Sequence, residues 1–307
     1  EVGKYGGTWK STIVGGGSLS MLFRYQAYEA LVRYNPEWTG VIPNVAESVT
    51  ANDTATEFTF KLRKGHKWSD GHPYTTEDVM FWYEDVFSNP EIEVTNQDHL
   101  IVGDDKGVFT KVDDTTFTVS FKNPNGLFLL LLAWADSDQT TRFPKHYLSQ
   151  FLPKYNPDAD KLAAAAGLSG WVQMFQKKSG AALEDDFFTN SEIPVLHPWK
   201  MKVAPGESTE HAIAERNAYY FKVDTAGNQL PYLDSIDYVL VADAQVLLLK
   251  VLQGEIDLLD QYIGTPTNKS VLFDGKEKGD YGFYTTLSTQ PNEMAICLNM
   301  THPDAVK

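Results

Sequence analysis

Phe58, Phe60 and Leu62 alternate with Thr59, Lys61 and Arg63, the period of a strand with one buried face. Phe117, Val119 and Phe121 repeat that period after Asp113-Asp114. The likeness of DTATEFTFKL to VDDTTFTVSF predicts neighbouring strands of one antiparallel sheet. A different period follows in Val79, Trp82, Tyr83, Val86 and Phe87, spaced i, i+3, i+4, i+7, i+8, which predicts a helix with one buried face. Thr75 precedes it as N-cap, with Asp78 three residues on, a capping box that satisfies otherwise orphaned backbone donors.

Elsewhere the pattern predicts a short strand from Thr8 to Val14, then the loop GGGSLS. An amphipathic helix is predicted through YQAYEALVRY, with Tyr25, Tyr28, Leu31 and Val32 at helical spacing. The turn NPNG leads into an apolar run to Leu132 that reads as a buried helix. Residues 153–190 mix Pro, Gly, Ala and charge around a helical patch at Trp171 to Phe175 and read as a surface excursion. Strands are predicted at Met201 to Val203, at His211 to Glu215 and in IDYVLVAD. Gln245 to Leu252 reads as a helix ended by Gly254 at C′, and GEIDLLD as a short returning strand. Strand, helix, strand succession indicates an α/β lobe with parallel pairing.

At 307 residues the chain is long enough for about two domains. Its 26 Lys+Arg against 41 Asp+Glu give a net charge of −15, which repels phosphate backbones and anionic lipid. Nucleic acid is therefore excluded as the expected partner. The densest apolar run, Leu127 to Ala135, is too short to span a bilayer. The opening EVGKYGGTWK has no basic or apolar leader, so a secretion signal is expected to have been removed already. Cys297, the single cysteine, forms no intramolecular disulfide or Cys-based zinc site and reads as a small core hydrophobe.

Four constellations invite a chemical reading. GGGSLS follows a strand but lacks GxGxxG spacing and a Gly-Lys-Ser/Thr ending, so it reads as a ligand-facing turn and not a phosphate cradle. His66 and His72 flank Asp70, yet they straddle the Ser69-Asp70-Gly71 turn, and nothing in the spacing makes them converge on a metal. Asp70 with Glu77 invites an acid–base reading, but turn and helix-start roles account for both. Glu255 and Asp257 would share one face of a strand about 7 Å apart, the one arrangement that leaves a secreted hydrolase open.

KLRKGHKWSDGHPYTTEDVMFWYE, from Lys61 to Glu84, resembles the signature of the family 5 extracellular solute-binding proteins, the dipeptide, oligopeptide and nickel receptors of ABC importers, departing mainly at Thr76. EALVRYNPEWTGVIPNVAESVTANDTATEFTFKL is similar to the family's opening. PWKMKVAPGESTEHAIAERNAYYFKVDTAGNQLPYLDSIDYVLVADAQVLLLKVLQGEIDLLD resembles its later run, with Ala218 in place of the usual Pro and Phe221 in place of Trp.

The resemblance implies an α/β, periplasmic-binding-protein-like class II fold. Lobe one would be built from residues 1–43 and 190–288, with a small α+β domain inserted at 44–189. Residues 289–307 would cross into a second lobe that is largely missing, so a fragment is expected. The implied function is capture of an oligopeptide, or an oligosaccharide, outside the cytoplasm and delivery to an ABC permease in the membrane, without covalent chemistry. A secreted hydrolase, and a chemosensory receptor on the same fold, are the alternatives. The expected state is a periplasmic or cell-surface-anchored monomer, free or as a lipoprotein, with no cofactor and no metal. Gly17, Ser18, Leu19, Gln261, Tyr262 and Asn299 are the candidate ligand contacts; the carboxylate that anchors a peptide's amino terminus in relatives would lie beyond Lys307.

Overall fold

Alternating side chains become strands throughout the computed structural model, which describes residues 2–15, 19, 22, 29–94, 98–134, 137–182, 187–259 and 261–284. In chain order these strands are β1 (Thr8–Val14), β2 (Val32–Tyr34), β3 (Val41–Pro43), β4 (Ala46–Ala51), β5 (Glu57–Leu62), β6 (Ile101–Val102), β7 (Asp105–Lys106), β8 (Val108–Lys111), β9 (Thr116–Ser120), β10 (Trp199–Val203), β11 (His211–Arg216) and β12 (Ser235–Val241).

One antiparallel sheet, ordered β4-β5-β9-β8, lies wholly between residues 44 and 189. β5 pairs β9 with Glu57 opposite Ser120 and Phe60 opposite Phe117, as the likeness of the two segments predicts. This register puts the Phe60 and Phe117 rings face to face, 5.1 Å apart, on the buried side of the sheet. Phe128 meets the neighbouring Phe58 ring edge-on at 4.8 Å. Aromatic pairs of this kind each add about 1 kcal/mol beyond the area they bury.

The helix Thr76–Phe81 begins with the predicted capping box: the Glu77 N–H donates to Thr75 Oγ1, and the Thr75 N–H to Asp78 Oδ2 at 3.0 Å. Past Phe81 the helix widens, so that the Ser88 N–H reaches Tyr83 O five residues back. Val79, Trp82 and Val86 are fully buried, with Tyr83 and Phe87 partly so. Ser69 ties this segment to residue 195: its N–H donates to Val195 O at 2.9 Å, and its Oγ accepts from the Val195 N–H at 3.0 Å.

The second large sheet, ordered β1-β12-β11-β10, unites the two ends of the described chain. β1 and β12 run parallel from Thr8 opposite Ser235 to Val14 opposite Val241. Ile13, Ile236 and Tyr238 turn to the same core that holds Phe58 and Phe60, so the two sheets share one continuous interior. Val241 faces the other way and packs with Leu247 and Val251 of the helix Ala244–Leu252 and Leu272 of the helix Lys269–Gly279. Gly254, at φ +74°, ends the first of these helices where only glycine is unstrained.

Four expectations are corrected. Leu31 and Val32 are not helical: Leu31 O accepts N–H groups from Asn44 and Ala46, and Val32 pairs with Pro43 in a β2–β3 hairpin. The rest of that predicted helix, including Tyr25 and Tyr28, lies outside the described residues. The apolar run forms only the short helix Phe128–Leu132, burying Phe128 and Leu132 but leaving Leu127, Leu130, Leu131 and Trp134 exposed. Residues 153–190 are not merely surface, because Phe175, Phe187 and Phe188 insert into the core. GEIDLLD forms no strand over its described residues 254–259; a single pair of bonds joins Asp257 to Lys10.

Candidate functional site

Parallel strands deliver their carboxyl ends to one edge of a sheet, the place where open α/β sheets receive ligands. Here that edge is set by β1 and β12. The last rung is the Gly15 N–H donating to Val241 O at 2.8 Å, and Gly15 then turns away at φ +69°. Further back along the pair, Thr12 Oγ1 donates to Val239 O at 2.9 Å, and at the amino ends of the strands Thr8 Oγ1 lies 2.8 Å from Ser235 Oγ. These bonds hold the two strand ends level.

Asp243 follows β12 and caps the helix Ala244–Leu252, its Oδ1 accepting from the N–H groups of Gln245 and Val246. On the far side of β1, Asp257 grips Lys10 twice: the Lys10 N–H donates to Asp257 Oδ2 at 2.6 Å, and the Asp257 N–H to Lys10 O at 3.0 Å.

Of the predicted contacts, Tyr262 is partly buried in the cluster of Val14, Val241 and Ile263, at the carboxyl ends of the parallel pair. It takes a left-handed backbone, φ +69°, and Gln261 O accepts from the Ile263 N–H at 2.9 Å, a tight turn that leaves Gln261 half-buried. Leu19 sits in the large core, its O accepting from the Leu22 N–H at 2.8 Å, so its side chain packs and only its backbone remains for a ligand. Gly17, Ser18 and Asn299 lie outside the described residues, as does Cys297.

The acidic and histidine constellations resolve into architecture. Glu255 Oε2 accepts from Lys250 Nζ at 2.7 Å while Asp257 holds the Lys10 backbone, so the two carboxylates serve different partners. His66 is buried beside Tyr74 and Phe221, and burial, helped by Arg63, lowers its pKa to about 4. His72 stacks on His146 with ring centres 3.9 Å apart, and His146 Nε2 lies 2.7 Å from Asp70 Oδ2. Glu77 accepts from Lys111 Nζ and Lys145 Nζ, which bring its pKa down to about 2. Among the described residues no three His, Cys, Asp or Glu converge as metal ligands.

Residues 40–305 match the family described as bacterial extracellular solute-binding proteins, family 5. The chain belongs to this family. Its β1–β12 sheet and inserted antiparallel sheet are those of a class II periplasmic binding protein: superposition on the structure of an oligopeptide-binding protein OppA gives a TM-score of 0.79 at 34% identity, covering 92% of this chain and 43% of that one. A probable ABC transporter-binding protein of Deinococcus radiodurans is 28% identical over 254 residues, 81% of this chain and 38% of the relative. A periplasmic alpha-galactoside-binding protein of Rhizobium meliloti is 30% identical over 223 residues, 72% and 29% of the two chains. The chain thus spans well under half the length of these family members. No described helix is long and apolar enough to cross a membrane.

One arrangement in this family 5 chain carries no sequence signal. Glu29, 1% exposed, accepts from Tyr220 OH, from Lys222 Nζ at 2.8 and 2.9 Å, and from Asn44 Nδ2 at 2.7 Å. It fastens residues 29 and 44 to the turn at 217–222. Burial raises the Tyr220 hydroxyl pKa, the Glu29 charge adding to it, and burial lowers that of Lys222 against the pull of Glu29. The partners are separated by up to 193 positions, which hides the network from any local reading.

Proposed function

We propose that this chain forms the first lobe and inserted domain of the solute-binding component of an ABC importer. Residues 1–43 and 190–288 make the lobe, 44–189 the insertion, and 289–307 the crossover to a second lobe. The family match across residues 40–305 carries the reading. It is supported by the β1–β12 edge, where Gly15, Asp243 and Tyr262 gather at the strand ends.

Solute would be held at that edge by the backbone of Gly17, Ser18 and Leu19, by Gln261 and Tyr262, and by Asn299. Closure of the lobes around it selects the state that a membrane permease recognises, to the extent that solute prefers closed over open. The component works outside the cytoplasm, in the periplasm or anchored at the cell surface, as a monomer, and leaves its solute chemically unchanged. Separate engagement of Glu255 and Asp257 argues against the hydrolase alternative.

The solute class is oligopeptide, in line with the 34% identity to an oligopeptide-binding structure; oligosaccharide is the second reading, favoured by the alpha-galactoside-binding relative. Calorimetric titration of the full-length protein with mixed oligopeptides and with alpha-galactosides decides between them. Heat with peptides alone supports the first reading, heat with galactosides alone the second, and heat with neither removes both.

A further inference from the structure

A chain with net charge −15 nevertheless carries, among the described residues, an open cavity lined by cations and no carboxylate. It measures about 290 Å³, with Arg63, Lys64, His66 and Lys67 on one wall and Tyr219 and Phe221 on the other. Gly65, at φ +81°, makes the turn that brings these cations together just past β5. Lys67 Nζ lies 5.3 Å from the Tyr219 ring centre, and the Arg63 guanidinium 5.5 Å from that of Phe221. The aromatic wall therefore orients both cations.

Among the described residues no carboxylate forms an ion pair with Arg63, Lys64 or Lys67. Glu29 is spent on Lys222, which stands behind Phe221 at 5.4 Å and feels the repulsion of Arg33 and Arg63. Arg63 makes one hydrogen bond among the described residues, from Nε to Asn44 O at 3.0 Å, so its two terminal nitrogens remain available. His66 is 5% exposed, and neither ring nitrogen has a hydrogen-bond partner among the described residues. A buried polar group without a partner calls for one. The guanidinium fork of Arg63 and the ammonium groups of Lys64 and Lys67 form a donor set suited to an oxyanion, with the buried His66 ring packed behind them.

We propose that this cavity binds a small oxyanion, the phosphate or carboxylate group of a free solute, at a site that shares no residue with the β1–β12 edge. A lipid headgroup offers the same chemistry, but the net negative charge opposes an anionic membrane surface while a small ion still reaches a locally positive cavity. The inference does not depend on solute capture at the sheet edge.

The test is titration of the 307-residue chain with inorganic phosphate at low ionic strength, followed by calorimetry and phosphorus NMR. Saturable millimolar binding is expected, weakened roughly tenfold by R63Q or K67Q, the loss of one charge-assisted bond. K161Q, at an exposed lysine paired with Asp158, should leave it unchanged. Lys67 is exposed and only flanks Tyr219, so K67Q folds normally, as circular dichroism would confirm, even if R63Q loosens its contact with Asn44. Absence of saturable binding, or binding that survives both substitutions, would overturn the proposal. So would sedimentation with phosphatidylglycerol vesicles that free phosphate fails to displace.

Discussion

His66 illustrates how a residue with apparent metal chemistry serves packing. Its imidazole fits between Tyr74 and Phe221, and desolvation holds its pKa near 4 against about 6.5 in the unfolded chain. Between those values the unfolded state binds more protons, so its contribution is intact above pH 6.5 and is lost as pH falls toward 4, up to roughly 3 kcal/mol. Urea titrations at pH 7 and pH 4.5 should show this loss, and His66→Phe should remove much of it. Glu77 acts in a lower window: held by Lys111 and Lys145, it supports the fold above pH 4.5 and loses that support as pH falls toward 2. Thr75→Ala removes a cap legible from its spacing to Asp78 and should cost about 1 kcal/mol by the same assay. Glu29→Ala strips the partners from Lys222 and Tyr220 and should cost about 3–5 kcal/mol, an effect that no local pattern announces.

Elements governed by their own period were legible. The alternation in β5 and β9, the capped helix after Thr75 and the Gly254 helix end all follow from local sequence. Elements governed by distant partners were not. Leu31 and Val32 carry helical spacing but are drawn into a hairpin by Asn44 and Pro43, and the acids of GEIDLLD follow a bond to Lys10. The run at Leu127 looked buried because apolarity alone does not say which side faces the core. Phe128→Ala should therefore cost about 3–5 kcal/mol and Leu131→Glu less than about 0.5, measured as shifts in chemical denaturation. β12 lies between β1 and β11, so its amides should exchange with deuterium more slowly than those of the edge strand β10.

Across the whole molecule, the topology that resemblance implied is present: a sheet joining both ends of the described chain and an antiparallel sheet inserted between them. The two sheets share one interior, running from Phe60 to Tyr238. The candidate site was less legible, since it gathers Gly15, Asp243 and Tyr262 from three places, and three of its six proposed contacts lie outside the described residues. The central claim is that the protein encloses a solute without altering it. Mass spectrometry of solute released from purified full-length protein, before and after prolonged incubation with that solute in excess, tests it directly. One bound species, of unchanged mass at both times, is the predicted result; accumulation of cleaved or otherwise modified products would contradict the account.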